Sequence, residues 1–101
     1  MATNWRSSRE YRIWRINVIR RYIRCQICNE KDGRHAHHLN SAVYFPEGRF
    51  DVENGVCLCY GCHMNFHNNF KRSYRTKCTK YDFENFRVLS KYFLEKEIIN
   101  E

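Results

Sequence analysis

Leu58 to His67, LCYGCHMNFH, packs four coordinating side chains into ten residues. Cys59 and Cys62 have the two-residue gap of a metal knuckle, and His63 and His67 stand one helical turn apart. On a helix, adjacent positions diverge by about 100° while positions i and i+4 share a face. Cys62 and His63 therefore leave such a helix in different directions, and one element can serve two metal sites.

The rest of the chain supplies the missing half of the first site. Cys25-x2-Cys28 is a second knuckle, separated from Cys59 by 30 intervening residues. Two knuckles place four thiolates around one tetrahedral Zn²⁺ at about 2.3 Å and leave no open position, so the expected role is structural. A redox CxxC would need a βαβ setting that is missing here, and disulfides are disfavoured in a reducing compartment. Cys57, out of knuckle register in an apolar run, reads as core, and Cys78 as an ordinary thiol.

The histidines carry a resemblance. AHHL at residues 36–39, Asn54 sixteen residues after His38, His63 nine further on and His67 four beyond it resemble the HNH (ββα-metal) nucleases. The accompanying CxxC and LCxxCH resemble the zinc-stabilised subtype found in bacterial and phage HNH proteins. The resemblance covers about residues 25–67 and says little about residues 71–101. It implies that His37 and His63 are ligands of a catalytic divalent metal and that His38 is the general base. It implies that Asn54 braces the loop that orients the base. His67 matches a position that is a third metal ligand in some relatives and contacts phosphate in others. His35 matches no family position and is expected on the surface or behind the ligands.

The chemistry of phosphodiester hydrolysis asks for such a set: a nucleophile made from water, a Lewis acid on the phosphate, and charge stabilisation at the leaving oxygen. A neutral imidazole is available as a base at physiological pH. An all-imidazole shell suits Mn²⁺, Ni²⁺ or Zn²⁺, with Mg²⁺ possible where phosphate and water oxygens complete its octahedron. One difficulty stands out. Adjacent strand residues point to opposite faces, so His37 and His38 reach one small site only through a bend or rotation at His38.

The elements that must hold these residues follow from pattern. SSREYRIWRINVIR predicts a basic helix over about 7–20, with Ser7 or Ser8 as N-cap, Glu10 in its first turn, and Ile13, Ile16, Val18, Ile19 and Ile23 as its apolar positions. Residues 1–6 read as a frayed arm. Residues 35–39 read as a short strand, Arg49–Val52 as a second, 53–55 as a turn, and Val56–Leu58 as an apolar extended run. A helix over about 60–70 completes a ββα unit. A last helix over about 82–99 carries Phe83, Phe86, Leu89 or Ser90, Phe93 and Leu94 as its stripe. The fold class is α+β: a small ββα-metal core of about residues 25–70 with a four-cysteine zinc site, flanked by two helices, in one domain spanning residues 1–101.

Composition narrows the partners. With 43% apolar and 16% aromatic residues the chain is globular, and 18 Lys and Arg against 11 Asp and Glu give a formal charge of +7. Four thiolates around Zn²⁺ would lower this to about +5, still cationic. Double-stranded DNA is the expected polyanion. No stretch approaches the roughly 18 apolar residues of a membrane span, and no apolar export segment is seen, so a cytoplasmic chain is expected, in the host cytoplasm if phage-encoded. Arg12, Arg15, Arg20 and Arg21 before the site, and Lys71, Arg72 and Arg75 after it, are the candidate DNA contacts, with Trp5, Tyr11, Trp14 and Tyr74 interleaved. The leading expectation is a metal-dependent HNH DNA endonuclease that nicks as a monomer or cuts both strands as a homodimer or with a phage protein partner. The alternative is a non-catalytic, zinc-stabilised nucleic-acid-binding module.

Overall fold

The first helix begins at a hydroxyl. In the computed structural model, which describes residues 4–70 and 77–99 and side chains in the last helix as far as Lys91, α1 spans Arg9–Arg21. Ser8 is its N-cap, accepting from the Tyr11 amide at 3.1 Å, a contact worth about 1 kcal/mol. The same hydroxyl donates to the Trp5 carbonyl at 2.6 Å, tying down the chain ahead of the helix. Trp5–Ser7 is thus a single 3₁₀ turn, where the sequence suggested a frayed arm; residues 1–3 lie outside the described residues.

The buried face of α1 keeps Val18 from the expected apolar positions but centres on Trp14 instead of the isoleucines. Trp14 and Val18, four apart, are buried, whereas Ile13, Ile16 and Ile23 are exposed. The sheet beneath explains the choice. A Cβ on Gly55 would lie 2.3 Å from Val18 Cγ2 and 3.0 Å from Trp14 Cζ2, so this glycine is the hollow into which the helix packs.

That sheet has two antiparallel strands, β1 (Arg34–His38) and β2 (Gly55–Cys59), with His38 opposite Gly55, His37 opposite Val56 and His35 opposite Leu58. Alternation gives each face its set. Arg34, Ala36 and His38 lie on the α1 side, where the Arg34 guanidinium donates to the Ile19, Tyr22 and Ile23 carbonyls at 3.0–3.2 Å and caps the end of α1. His35 and His37 lie on the other.

The second strand is therefore Gly55–Cys59, not Arg49–Val52. Asp51 takes the Glu53 amide on its carboxylate at 2.9 Å and the Trp14 indole on its carbonyl at 2.8 Å, which starts a 3₁₀ turn at Val52–Asn54. All five residues of β2 are buried, and the half-polar alternation of 49–52 cannot compete with a run that fills the core on both faces.

Helix α2 covers Tyr60–Asn65 and widens into a π turn over Phe66–Phe70, so the expected 60–70 helix exists but is not α-helical throughout. Helix α3, Lys80–Ile99, starts where Asp82 accepts from the Thr79 amide at 2.8 Å. Its Phe83 and Phe86 are buried, and Leu89 is exposed. The side chains of Phe93 and Leu94 lie outside the described residues. Phe83 joins Cys25, Val56, Leu58 and Cys59 in one core cluster, and Phe86 joins Phe66 and Cys78 in another. Among the described residues, no helix is long and apolar enough to cross a membrane.

Candidate functional site

The four expected cysteines come together. The sulfurs of Cys25, Cys28, Cys59 and Cys62 lie within 4.8 Å of one another, and none is in a disulfide. Cys28 and Cys59 sulfurs are 3.6 Å apart, against about 3.8 Å between sulfurs of a tetrahedral site with 2.3 Å bonds. Each knuckle presents an amide to its first sulfur: Ile27 N–H to Cys25 and Cys62 N–H to Cys59, both at 3.4 Å. A hydrogen bond from the Cys62 thiol pulls Cys25 down to about 4, and the same contact pushes Cys62 up. Of these two thiols, Cys25 thus loses its proton the more readily. Zn²⁺ is the group that fits the cluster: four sulfurs, tetrahedral spacing, no open position. It would join the end of α1 to the start of α2.

Cys57 is buried in the sheet, as its apolar run suggests. Cys78 is buried as well, packed with Phe66 and Phe86, so it belongs to the core.

One residue after Cys62 the chain turns to its histidines. The ligand nitrogens of His37, His63 and His67 also lie within 4.8 Å of one another. His63 and His67 approach through their Nε2 atoms at 3.1 Å; the π turn begins only at Phe66, so the i, i+4 relation survives. His37, only 4% exposed, keeps its Nε2 buried without a hydrogen-bond partner. A buried imidazole nitrogen in that state marks a missing partner, and a cation on three converging nitrogens would provide one. Burial holds all three below the usual imidazole value: His63 falls to about 4, and His37 lies well below its ordinary value, with His63 and His67 adding to the effect of burial. The three rings are therefore neutral at neutral pH, the state in which an imidazole can ligate a cation.

His38 lies on the other face of β1 yet borders the same space. A cleft of about 110 Å³ is lined by His37, His38, His63 and His67 together with Trp5 and Arg6. It is large enough for a phosphate group and its waters. The strand ends at His38, so no backbone distortion is needed: the cleft wraps the strand end and reaches both faces. His38 stacks on Trp14 with 3.9 Å between centroids and 6° between planes, and the edges of Trp5 and Tyr11 close around it. Its Nε2 lies 2.9 Å from the Arg49 carbonyl. A carbonyl can only accept, so Nε2 carries the hydrogen and Nδ1 is left bare. Burial lowers His38 to about 4 despite the opposing effect of that hydrogen bond, with Arg6 and Arg49 pushing further down.

Asn54, 8% exposed, staples the loop that carries Arg49. Its Oδ1 accepts from the Asn40 amide at 2.8 Å, and its Nδ2 donates to the Asn40 and Gly48 carbonyls at 3.0 and 3.1 Å. Arg49 is held in turn by two bonds from its guanidinium to the Ala42 carbonyl and by lying over the Trp5 ring at 4.6 Å.

The candidate DNA contacts divide. Arg12, Arg15 and Arg20 are exposed on α1. Arg21 is occupied by an ion pair with Glu53 at 2.7 Å. Lys71, Arg72 and Arg75, with Tyr74, lie outside the described residues. Sequence reasoning left out Arg49 and gave Trp5 and Trp14 only a general place among the basic residues, with Trp5 and Arg6 in a loose arm and not on a cleft wall; the spacing of Trp14 and Val18 opposite a strand-opening glycine is the signal that could have found the helix face.

Compared with known proteins, the chain matches no family model, no curated protein and no solved structure.

Proposed function

We propose that this chain is a metal-dependent DNA endonuclease of the HNH type its sequence resembles, with a ββα-metal core formed by β1, β2 and α2. One observation carries the reading: the three converging histidines and His38, with Nδ1 bare, border a single phosphate-sized cleft. A structural zinc site explains the cysteines but gives no reason for a buried, unpartnered His37 beside an oriented imidazole.

In this reading His37, His63 and His67 hold one divalent cation, Mg²⁺, Mn²⁺, Ni²⁺ or Zn²⁺. When bound, it supplies Lewis-acid stabilisation of the charge that develops on phosphate and leaving oxygen. The chain's own residues do the rest. His38 takes a proton from the attacking water at Nδ1, and the positive ring that results is stabilised by its bond to the Arg49 carbonyl. Trp14 fixes the plane of that ring. Asn54 is a positioning residue, acting through the loop and Arg49. Arg6, on the cleft wall and over the Trp5 ring at 4.2 Å, faces the space a phosphate would fill. Exposed arginines of α1 add non-specific, salt-sensitive attraction to duplex DNA.

A plasmid-nicking assay of the zinc-loaded protein tests this. Wild type is expected to convert supercoiled to open-circular DNA with added Mg²⁺, Mn²⁺ or Ni²⁺, and His38→Ala to lose at least 100-fold, the lower range of a general-base contribution of about 10²–10⁴. DNA binding without cleavage in every metal would instead support a zinc-stabilised nucleic-acid-binding module. Full activity in His38→Ala would overturn the base assignment.

A further inference from the structure

His35 takes no part in either cluster, yet it touches the histidine site from behind. Sharing a face of β1 with His37, it brings its Nδ1 to 3.2 Å from Nδ1 of His63, the rings nearly perpendicular at 82°. His63 is therefore engaged at both nitrogens, Nδ1 by His35 and Nε2 by His67 at 3.1 Å.

A short contact between two neutral imidazole nitrogens holds one hydrogen, and each ring has only one to place. Two arrangements are then self-consistent. In one, His63 carries its hydrogen on Nδ1 and donates it to His35, leaving Nε2 bare toward His67 and the shared space. In the other, His35 donates to His63, whose hydrogen moves to Nε2 and points at His67, which blocks the nitrogen that faces the cluster. The choice belongs to His35, because the hydrogen bond made by one ring nitrogen sets the state of the other.

We propose that His35 is a positioning residue for the metal site: by accepting from His63 Nδ1–H it holds His63 in the tautomer whose Nε2 can take a cation. This rests on the reading of His37, His63 and His67 as metal ligands. His35 itself stays outside the ligand set, and its ring meets that of Tyr60 edge to face with 5.7 Å between centroids.

The test uses the full chain with its cysteine site zinc-loaded, titrated calorimetrically with Ni²⁺, while two-dimensional ¹H–¹⁵N spectra report the tautomer of His63. His63 should be protonated at Nδ1 in the wild type before nickel is added. His35→Ala should weaken nickel binding by roughly 10–100-fold, as loss of a ligand's outer partner does, and should leave His63 in mixed tautomers. His35→Asn, whose side-chain oxygen can accept at the same place, should recover most of the affinity, and zinc content should be unchanged in all three. An unchanged nickel affinity in His35→Ala, or His63 protonated at Nε2 in the wild type, would overturn the proposal. A wild type that binds no nickel would sink the metal reading of the cluster, and the tautomer spectra would still decide the role of His35.

Discussion

Replacing Asn54 separates two accounts of a buried amide: a space-filling residue or a staple that needs its N–H donors. Asn54→Ala removes three bonds, to the Asn40 amide at 2.8 Å and to the Asn40 and Gly48 carbonyls at 3.0 and 3.1 Å. At about 1 kcal/mol net each, the loss is about 3 kcal/mol, a large part of the stability of a domain this size. Asn54→Asp is nearly isosteric and keeps the acceptor for the Asn40 amide. It puts an oxygen where Nδ2 was, opposite two carbonyl oxygens at hydrogen-bond distance. The expected cost near pH 7.5 is about 4 kcal/mol, at least that of Ala, because repulsion adds to the two lost donors. The introduced carboxyl would have a folded-state pKa above its unfolded value, since only its protonated form can donate. The penalty is then fully present above the folded pKa and is relieved as pH falls through it; the protonated carboxyl keeps one acceptor and regains one donor, so Asn54→Asp should become more stable than Asn54→Ala in mild acid. Urea unfolding of the zinc-loaded proteins at two pH values gives both numbers. A loss under about 1 kcal/mol for Asn54→Asp at pH 7.5 would refute the staple, and with it the idea that Asn54 positions the Arg49 carbonyl.

Other expectations follow from the same packing. The chain should bind one Zn²⁺ in the cysteine site; Cys25→Ser should lose it and most cooperative unfolding, whereas unchanged zinc content and midpoint would exclude the four-sulfur site. Gly55→Ala should cost about 1–3 kcal/mol by overpacking Val18, whose Cγ2 would lie 2.3 Å from the new carbon; a neutral substitution would mean that α1 sits further out. His38 has a folded pKa near 4, below the ordinary 6.5, so the unfolded chain binds more protons between these values and stability falls as pH drops through that window. The shift corresponds to about 3 kcal/mol at its acid end. Unfolding free energies of wild type and His38→Asn should therefore differ in slope between pH 6.5 and 4, and parallel curves would contradict the burial of that ring.

The two clusters of possible metal ligands were legible because ligand chemistry is local. Two CxxC pairs and an i, i+4 histidine pair fix sulfur and nitrogen spacing over a few residues, and the structure only has to bring two such units together. What was illegible depends on partners distant in sequence. Ile13 and Ile16 are as apolar as Val18, and only the absent Cβ of Gly55 makes the Trp14–Val18 face the one that fits. Arg49–Val52 alternates like a strand until Asp51 finds the Trp14 indole 37 positions away. The place of His35 was half legible for a similar reason: the sequence put it on the surface or behind the cluster, and nothing in HAHH decides between a histidine that faces His63 and one that faces water.

The apparent conflict between His37 and His38 resolves at the level of the strand rather than the residue. Opposite pleat directions send His37 toward α2 and α3 and His38 toward α1, and in the middle of a strand that separation would keep them in different compartments. Here β1 stops at His38, across from Gly55, the first residue of β2. Beyond that point the pairing ends with the Leu39 amide on the Asn54 carbonyl at 3.0 Å, and the Asn40–Asn54 loop, braced at Asn54, brings the Arg49 carbonyl and Ala42 round to the strand end. The turn at Trp5–Ser7 closes the far side. Alternation thus gives each imidazole its own packing, His37 against Phe66 at 4.8 Å and His38 flat on Trp14, while the short strand lets both border one cleft. Adding a residue to either strand end should move His38 out of that cleft without disturbing the cysteine cluster, which lies at the opposite end of the sheet with Cys59 paired to Arg34.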